Sequence, residues 1–338
     1  MKWNTTLFRV IICFLSIILV PASAVVGDEV VFDPSFSQPL NPNPGRPFGL
    51  RSMVYLENTF YAYLGDAIYV WKPDDPKPTL FCSLPTTPIW KETWGNTMFK
   101  DLPDDEQAEL ASAVDYIAGG DGALWGYNML SGRIGKISRD GIAWSRQPLN
   151  TADFFKNGRI ALYFMPVQSF VEDGQLYIFG NNGGIKSLNA TKPLLRFDMA
   201  SGEYTILETK QARNLCPYQP GSILLARRGS KATMRLSVMD LKTGTMMDLQ
   251  QTVPFPDKTD EGLASIGGLS YDPHRDQIYF VMEEDIVKSN VWQSREGEPF
   301  EIVKRLTTMV HNDVLAWVLP DGRYAFHVMD GLYVCALN

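Results

Sequence analysis

Side chains able to do chemistry are sparse in this sequence, and they gather just ahead of apolar runs. His311-Asn312-Asp313 precede VLAWVL, Arg213-Asn214 precede LCPY, and Asp260-Glu261 precede LASIGGLSY. Asp115, Asp153 and Arg159 hold comparable positions ahead of other runs. Imidazole, amide and carboxylate groups drawn together from separate strands hold a hard cation through oxygen, or a polar ligand through hydrogen bonds. No cofactor is assigned from these residues, and calcium or another divalent cation at Asn214, Asp260, Glu261, His311 and Asp313 is the alternative. Polar groups also stand at such places because loops need solvation and strand starts need hydrogen bonds, so both explanations remain open.

Stronger catalytic signatures do not occur. The sequence has no GxSxG elbow, no HExxH, no paired CxxC and no phosphate-binding glycine loop. Of three histidines, His274 lies in the turn DPHRD, where solvation is expected, and His327 alternates with apolar residues and is expected to pack. His311 is the remaining candidate, and no catalytic residue is assigned. Lysine and arginine number 31 against 38 acids, a formal charge of −7, with no basic stripe or run. Nucleic acid and anionic membrane are therefore not expected partners.

The elements that must position these groups are strands. A short apolar strand, a DG or SG turn, a strand with Tyr or Trp, another turn and a further strand recur along the chain. Copies begin at Asp121, Asp173, Leu194, Arg235, Tyr271 and Asp321. Repeats of about 40 to 65 residues built from strands rather than helices are the mark of propeller blades. Asp-Gly, Ser-Gly and Thr-Gly at 140/141, 201/202 and 243/244 supply the positive φ of tight hairpins at matching places.

Four strands per unit place blades at about 49–83, 113–147, 161–208, 213–250 and 264–306. A sixth has strands near 313–318, 322–327 and 331–336. The expected fold is an all-β, six-bladed β-propeller closed by an N-terminal strand, Glu29 to Phe32, that completes the last blade.

An insertion over about 85–112 interrupts the repeats. It carries Trp90, Trp94 and Phe99, then Pro103 at a first helical position with Asp104, Asp105 and Glu106 behind it, which predicts a short helix over 103–112. Its aromatics either cap part of the channel mouth or cover a blade edge. The start of the chain, with Lys2 and Arg9, the run IICFLSIILV and then Pro21-Ala22-Ser23-Ala24, predicts a signal peptide over 1–24. An uncleaved anchor is the alternative, but it needs about twenty apolar residues. Cleavage leaves one domain over 25–338, of formal charge −9 and with no membrane span, exported to an extracellular or periplasmic space. The remaining cysteines, Cys82, Cys216 and Cys335, are widely spaced in apolar strands and read as buried small hydrophobes with at most one disulfide. Asn189-Ala190-Thr191 is a glycosylation sequon in a polar loop.

The segments YDPHRDQIYFVM from Tyr271 and DGALWGYNMLSGRIGKI from Asp121 resemble blade openings of the six-bladed propeller superfamily. That group includes the TolB-like, NHL, low-density-lipoprotein-receptor YWTD and gluconolactonase-like proteins. The YWTD tetrad itself is absent. The resemblance implies the propeller fold and binding on one face. From its gluconolactonase branch it implies metal-dependent lactone hydrolysis, with Glu261, Asn214 and Asp313 as loose counterparts of that branch's metal ligands.

Two functions stay open. One is an exported recognition or scaffold protein that holds a protein, peptide or glycan partner, with Trp90, Trp94, Asp115, Arg159, Arg213, Asn214, His311 and Asn312 as binding residues. The other is a metal-dependent hydrolase or lyase at the channel mouth.

Overall fold

The computed structural model describes residues 52–75, 78–85, 103–151, 164–182, 193–210, 212–228, 233–254, 266–285, 288–295, 297–306, 315–328 and 331–336. Their architecture is all-β with one short helix. Each repeat forms an antiparallel meander in which successive strands pair in chain order.

The first meander is β1 (Ser52–Leu56), β2 (Thr59–Leu64), β3 (Ala67–Trp71) and β4 (Thr79–Ser83). The second is β5 (Tyr116–Gly120), β6 (Ala123–Tyr127), β7 (Ile134–Ser138) and β8 (Gly141–Trp144). The third comprises β9 (Phe164–Glu172), β10 (Gln175–Asn182), β11 (Leu194–Asp198) and β12 (Tyr204–Leu207). The fourth comprises β13 (Ala212–Pro217), β14 (Ser222–Arg228), β15 (Thr233–Asp240) and β16 (Met246–Pro254). β17 (Ile266–Asp272), β18 (Gln277–Asp285), β19 (Lys288–Arg295) and β20 (Glu301–Leu306) make the fifth. The last has three described strands, β21 (Ala316–Val318), β22 (Tyr324–Val328) and β23 (Gly331–Cys335). The strand expected from Glu29 to Phe32 lies outside the described residues.

Two-residue alternation sends neighbouring side chains of one strand into different cores. On β14, Ile223 and Leu225 pack toward the third meander, while Leu224 and Ala226 pack toward the fifth. On β18, Ile278 and Phe280 face the fourth meander, and Tyr279 and Val281 face the sixth. Each meander is thus apolar on both faces, which is why its strands read as near-continuous Val, Ile, Leu and Phe. Buried clusters join the first meander to the second, the second to the third, and so on to the sixth. A further cluster combines Met53, Phe60, Ala62 and Trp71 of the first meander with Leu319, Ala325 and Val334 of the last. Phe60 has no exposed surface; its ring stacks on Trp71 at 5.3 Å and meets the edge of Trp317 at 5.6 Å. Outside this core, Arg323 bonds Asp74 across the same seam at 2.7 Å.

One junction differs from the separate blades expected. β5 and β9 pair in parallel through Gly119↔Phe170 and Gly120↔Val171, so the second and third meanders share one eight-stranded sheet. The double glycine explains it. A Cβ on Gly119 would sit 2.3 Å from Val54 Cγ1, and one on Gly120 would sit 1.8 Å from the Val171 carbonyl oxygen. Only bare backbone fits between the two neighbouring strands.

The glycines at 141, 202 and 244 have φ of 105°, 80° and 71°, as their turns require. Two of these turns share a design with a third. In Asn128–Gly132, Asp198–Gly202 and Asp240–Gly244 the glycine amide donates to the carbonyl of the first residue. The Asn or Asp side chain accepts from the amide three residues on. The helix α1 (Asp104–Ser112) sits where expected, but Pro103 is its cap, at ψ 148°, rather than its first helical residue. The Pro103 carbonyl accepts the Gln107 amide, and this bond sets the helix register. Among the described residues no helix is long and apolar enough to cross a membrane.

Candidate functional site

The groups expected to act together were placed by sequence ahead of strand-forming runs. Of these, Asp115, Arg213 and Asn214 are described. Trp90, Trp94, Asp153, Arg159, Asp260, Glu261, His311, Asn312 and Asp313 lie outside the described residues.

Asp115 leads into β5 from the end of α1. Its amide donates to the Tyr127 carbonyl at 3.0 Å, and its Oδ2 accepts the Met129 amide at 2.9 Å. One side of the carboxylate therefore clamps the β6–β7 loop. Beside it, Asn128 is buried and donates from Nδ2 to the Leu110 and Ala113 carbonyls, both at 2.8 Å. These two bonds close the carbonyl end of α1, where helix C=O groups lack intrahelical partners. Asn128 Oδ1 meanwhile accepts the Ser131 amide and hydroxyl. Asn128 was not singled out by sequence, although NMLSG repeats the pattern of DMASG and DLKTG.

Buried tyrosines tie the neighbouring inner strands to this region. Tyr63 donates to the Val114 carbonyl at 2.7 Å, and Tyr127 shares a 2.6 Å hydrogen bond with Ser169. Burial raises the Tyr127 phenol well above its ordinary pKa, and the Ser169 bond offsets only part of that. It stays neutral and serves as a strut between the second and third meanders.

Arg213 occupies a β-bulge. Ala212 pairs with Arg227 and Asn214 with Ala226, so the register of β13 shifts by one residue at Arg213. Asn214 next to it is 3% exposed. Bulges recur at the beginnings of the flanking inner strands. On β9, Gln168 and Pro166 pair with consecutive residues of β10, leaving out Val167. On β17, the step from Gly267 to Ser270 skips a residue relative to β18. Three consecutive inner strands thus break their ladder within a few residues of their first residue, a device that bends a strand and re-aims its side chains. The signals were Pro166 and Gly267-Gly268; at Arg213 the sequence carries none. The β17 bulge is held by Tyr324, which donates its hydroxyl to the Gly268 carbonyl from the sixth meander.

Among the described residues no group of three or more His, Cys, Asp or Glu is arranged to hold a metal ion. Of the three ligands that the resemblance implies, only Asn214 is described. Cys82 and Cys216 are buried free thiols, and burial pushes Cys82 up to about 11 and Cys216 further still. Neither is an activated nucleophile. His274 is exposed in its turn, with its amide bonded to Asp272, in keeping with a solvated role.

No family model matches the sequence, and no curated protein sequence matches it. Solved structures resemble it in fold. The GH74 xyloglucanase from Xanthomonas campestris is similar at a TM-score of 0.47 and 13% identity, over 85% of this chain and 44% of that one. The Dos1 propeller is similar at 0.44 and 11%, over 86% of this chain and 68% of that one. The extracellular domain of the one-component system BT4673 from B. thetaiotaomicron gives 0.41 and 11%, over 84% of this chain. The present chain spans 32% of that protein's length.

Proposed function

We propose that this chain is an exported recognition or scaffold protein, a closed six-bladed β-propeller that holds a protein, peptide or glycan partner where its inner strands begin. The observation that carries the ring is the core cluster joining the last meander to the first, through Phe60, Trp71, Leu319 and Ala325. Every meander then has a buried neighbour on both faces, as a ring of blades requires. In this reading Glu29 to Phe32 supply the fourth strand of the last blade beside β23, and residues 1–24 are the export signal.

Trp90 and Trp94 in the insertion, with Asp115, Arg159, Arg213, Asn214, His311 and Asn312, make up the proposed partner surface. The test is a pull-down against identified partners with a Trp90→Ala, Trp94→Ala variant. Capture falls at least tenfold while the melting temperature stays within about 2 °C of the parent, as surface changes imply. Unchanged capture would remove the aromatic insertion from the account.

A further inference from the structure

The fourth meander carries a charge arrangement that its fold does not need. Arg227 on β14 and Arg235 on β15 are direct cross-strand partners, so two cations project from the same face side by side. Like charges placed directly opposite destabilise a sheet. A single carboxylate, Asp248 on β16, stands between them, and its work is unevenly divided. Asp248 Oδ1 receives the Arg227 guanidinium and the Ser237 hydroxyl, the latter at 2.8 Å. Arg227 Nε donates to Ser237 Oγ at 2.7 Å, so Arg227 is gripped from two sides and its side chain is 11% exposed. Arg235 reaches Asp248 Oδ2 at only 3.4 Å, and its side chain is 51% exposed.

The result is one pinned guanidinium beside one presented guanidinium, with a net positive charge. Arginine has five N–H donors in a planar fork that matches a carboxylate edge-on. The long contact to Asp248 engages one of them.

We propose that the Arg227–Arg235 pair of the fourth meander is a binding subsite for a carboxylate-bearing ligand. Arg235 makes the bidentate contact, and Arg227, Ser237 and Asp248 form the rigid support behind it. The bound carboxylate neutralises the excess cation, so ligand binding raises stability. The subsite stands on this charge arrangement alone and does not depend on the partner surface proposed above.

The test is thermal unfolding of the intact protein with sodium glucuronate, sodium propionate, inorganic phosphate, and sodium chloride at matched ionic strength. At roughly ten times its dissociation constant, glucuronate or propionate raises the melting temperature by about 2 °C relative to chloride. A larger shift with glucuronate than propionate places a sugar acid in the site, and equal shifts place the carboxylate alone there. Arg235→Gln abolishes the shift without lowering the unliganded melting temperature. Asp248→Asn, which removes the competing carboxylate, lowers the unliganded melting temperature and enlarges the shift. The proposal is overturned if chloride reproduces the shift, if phosphate exceeds both carboxylates, if Arg235→Gln retains the shift, or if Asp248→Asn loses it.

Discussion

Replacing Gly120 with alanine should break the joint between the second and third meanders, and the cost follows from geometry. Gly120 has φ of 152°, and an added Cβ would stand 1.8 Å from the Val171 carbonyl oxygen and 2.6 Å from its carbon. Both are backbone atoms of the adjoining strand, so no rotamer change relieves the clash, and β5 and β9 must separate. Overpacking in a tight core costs about 1–3 kcal/mol, and a backbone conformation reserved for glycine adds about 1–3 kcal/mol. The expected loss is about 2–6 kcal/mol. Gly174→Ala is the matched control, because its φ of 69° also favours glycine but nothing lies within 4 Å of the new Cβ. That variant should lose only about 1–2 kcal/mol, the left-handed penalty alone. Urea unfolding followed by Trp fluorescence reads both, with the midpoint falling at constant m. Equal losses in the two variants would mean that β5 and β9 are not in close contact at Gly120, since the excess there comes from contact with Val171 of β9.

Other expectations follow from single groups. Asn128→Ala leaves the Leu110 and Ala113 carbonyls without their buried donor and should cost about 2–4 kcal/mol in urea unfolding; a loss under about 1 kcal/mol contradicts its capping role. The Asp198 carboxyl is lowered to about 2, first by the Gln175 amide and then by the Ser201 backbone amide. Its contribution to stability is therefore complete above the unfolded pKa near 4 and is lost as pH falls toward 2. Asp198→Asn should lower stability at neutral pH by an amount that disappears as pH falls toward 2, flattening that part of the acid stability profile; an unchanged profile would contradict it. Cys82 and Cys216, held neutral by burial, should react with a thiol reagent far more slowly in native protein than in urea, and equal rates would contradict their burial. Calcium should leave the melting temperature unchanged if binding is the function, whereas a shift reversed by chelator would favour the metal-dependent alternative.

The strands and turns were legible because both follow local rules. Short runs of Val, Ile, Tyr, Phe and Trp bounded by Gly, Asp or Asn, such as Ala67–Trp71 and Leu176–Phe179, read as strands and are strands, and the glycines at 141, 202 and 244 stand where φ is positive. The Gly119-Gly120 pair was also in plain view, but its meaning depends on which strand comes alongside, and that partner lies about fifty residues away. The Arg213 bulge depends on pairing register, which nothing near Arg213 in sequence encodes. Asp115 was identifiable by position, while its role required knowing that the Met129 amide would fold back onto it. Pro103 followed by three acids suits either a cap or a first helical residue, and the Gln107 amide decides between them. The cross-strand pairing of Arg227 with Arg235 is hidden in the sequence for the same reason as the bulge, because the two residues become neighbours only through the hairpin.

The most direct test of the closed ring is a double-mutant cycle across its final seam, using Phe60→Leu and Trp317→Leu measured by urea unfolding. The rings meet edge to face at 5.6 Å from opposite ends of the chain, so the account predicts a coupling energy of about 0.5–1.5 kcal/mol. Strictly additive losses would mean that the last meander does not pack against the first, and the ring would be open.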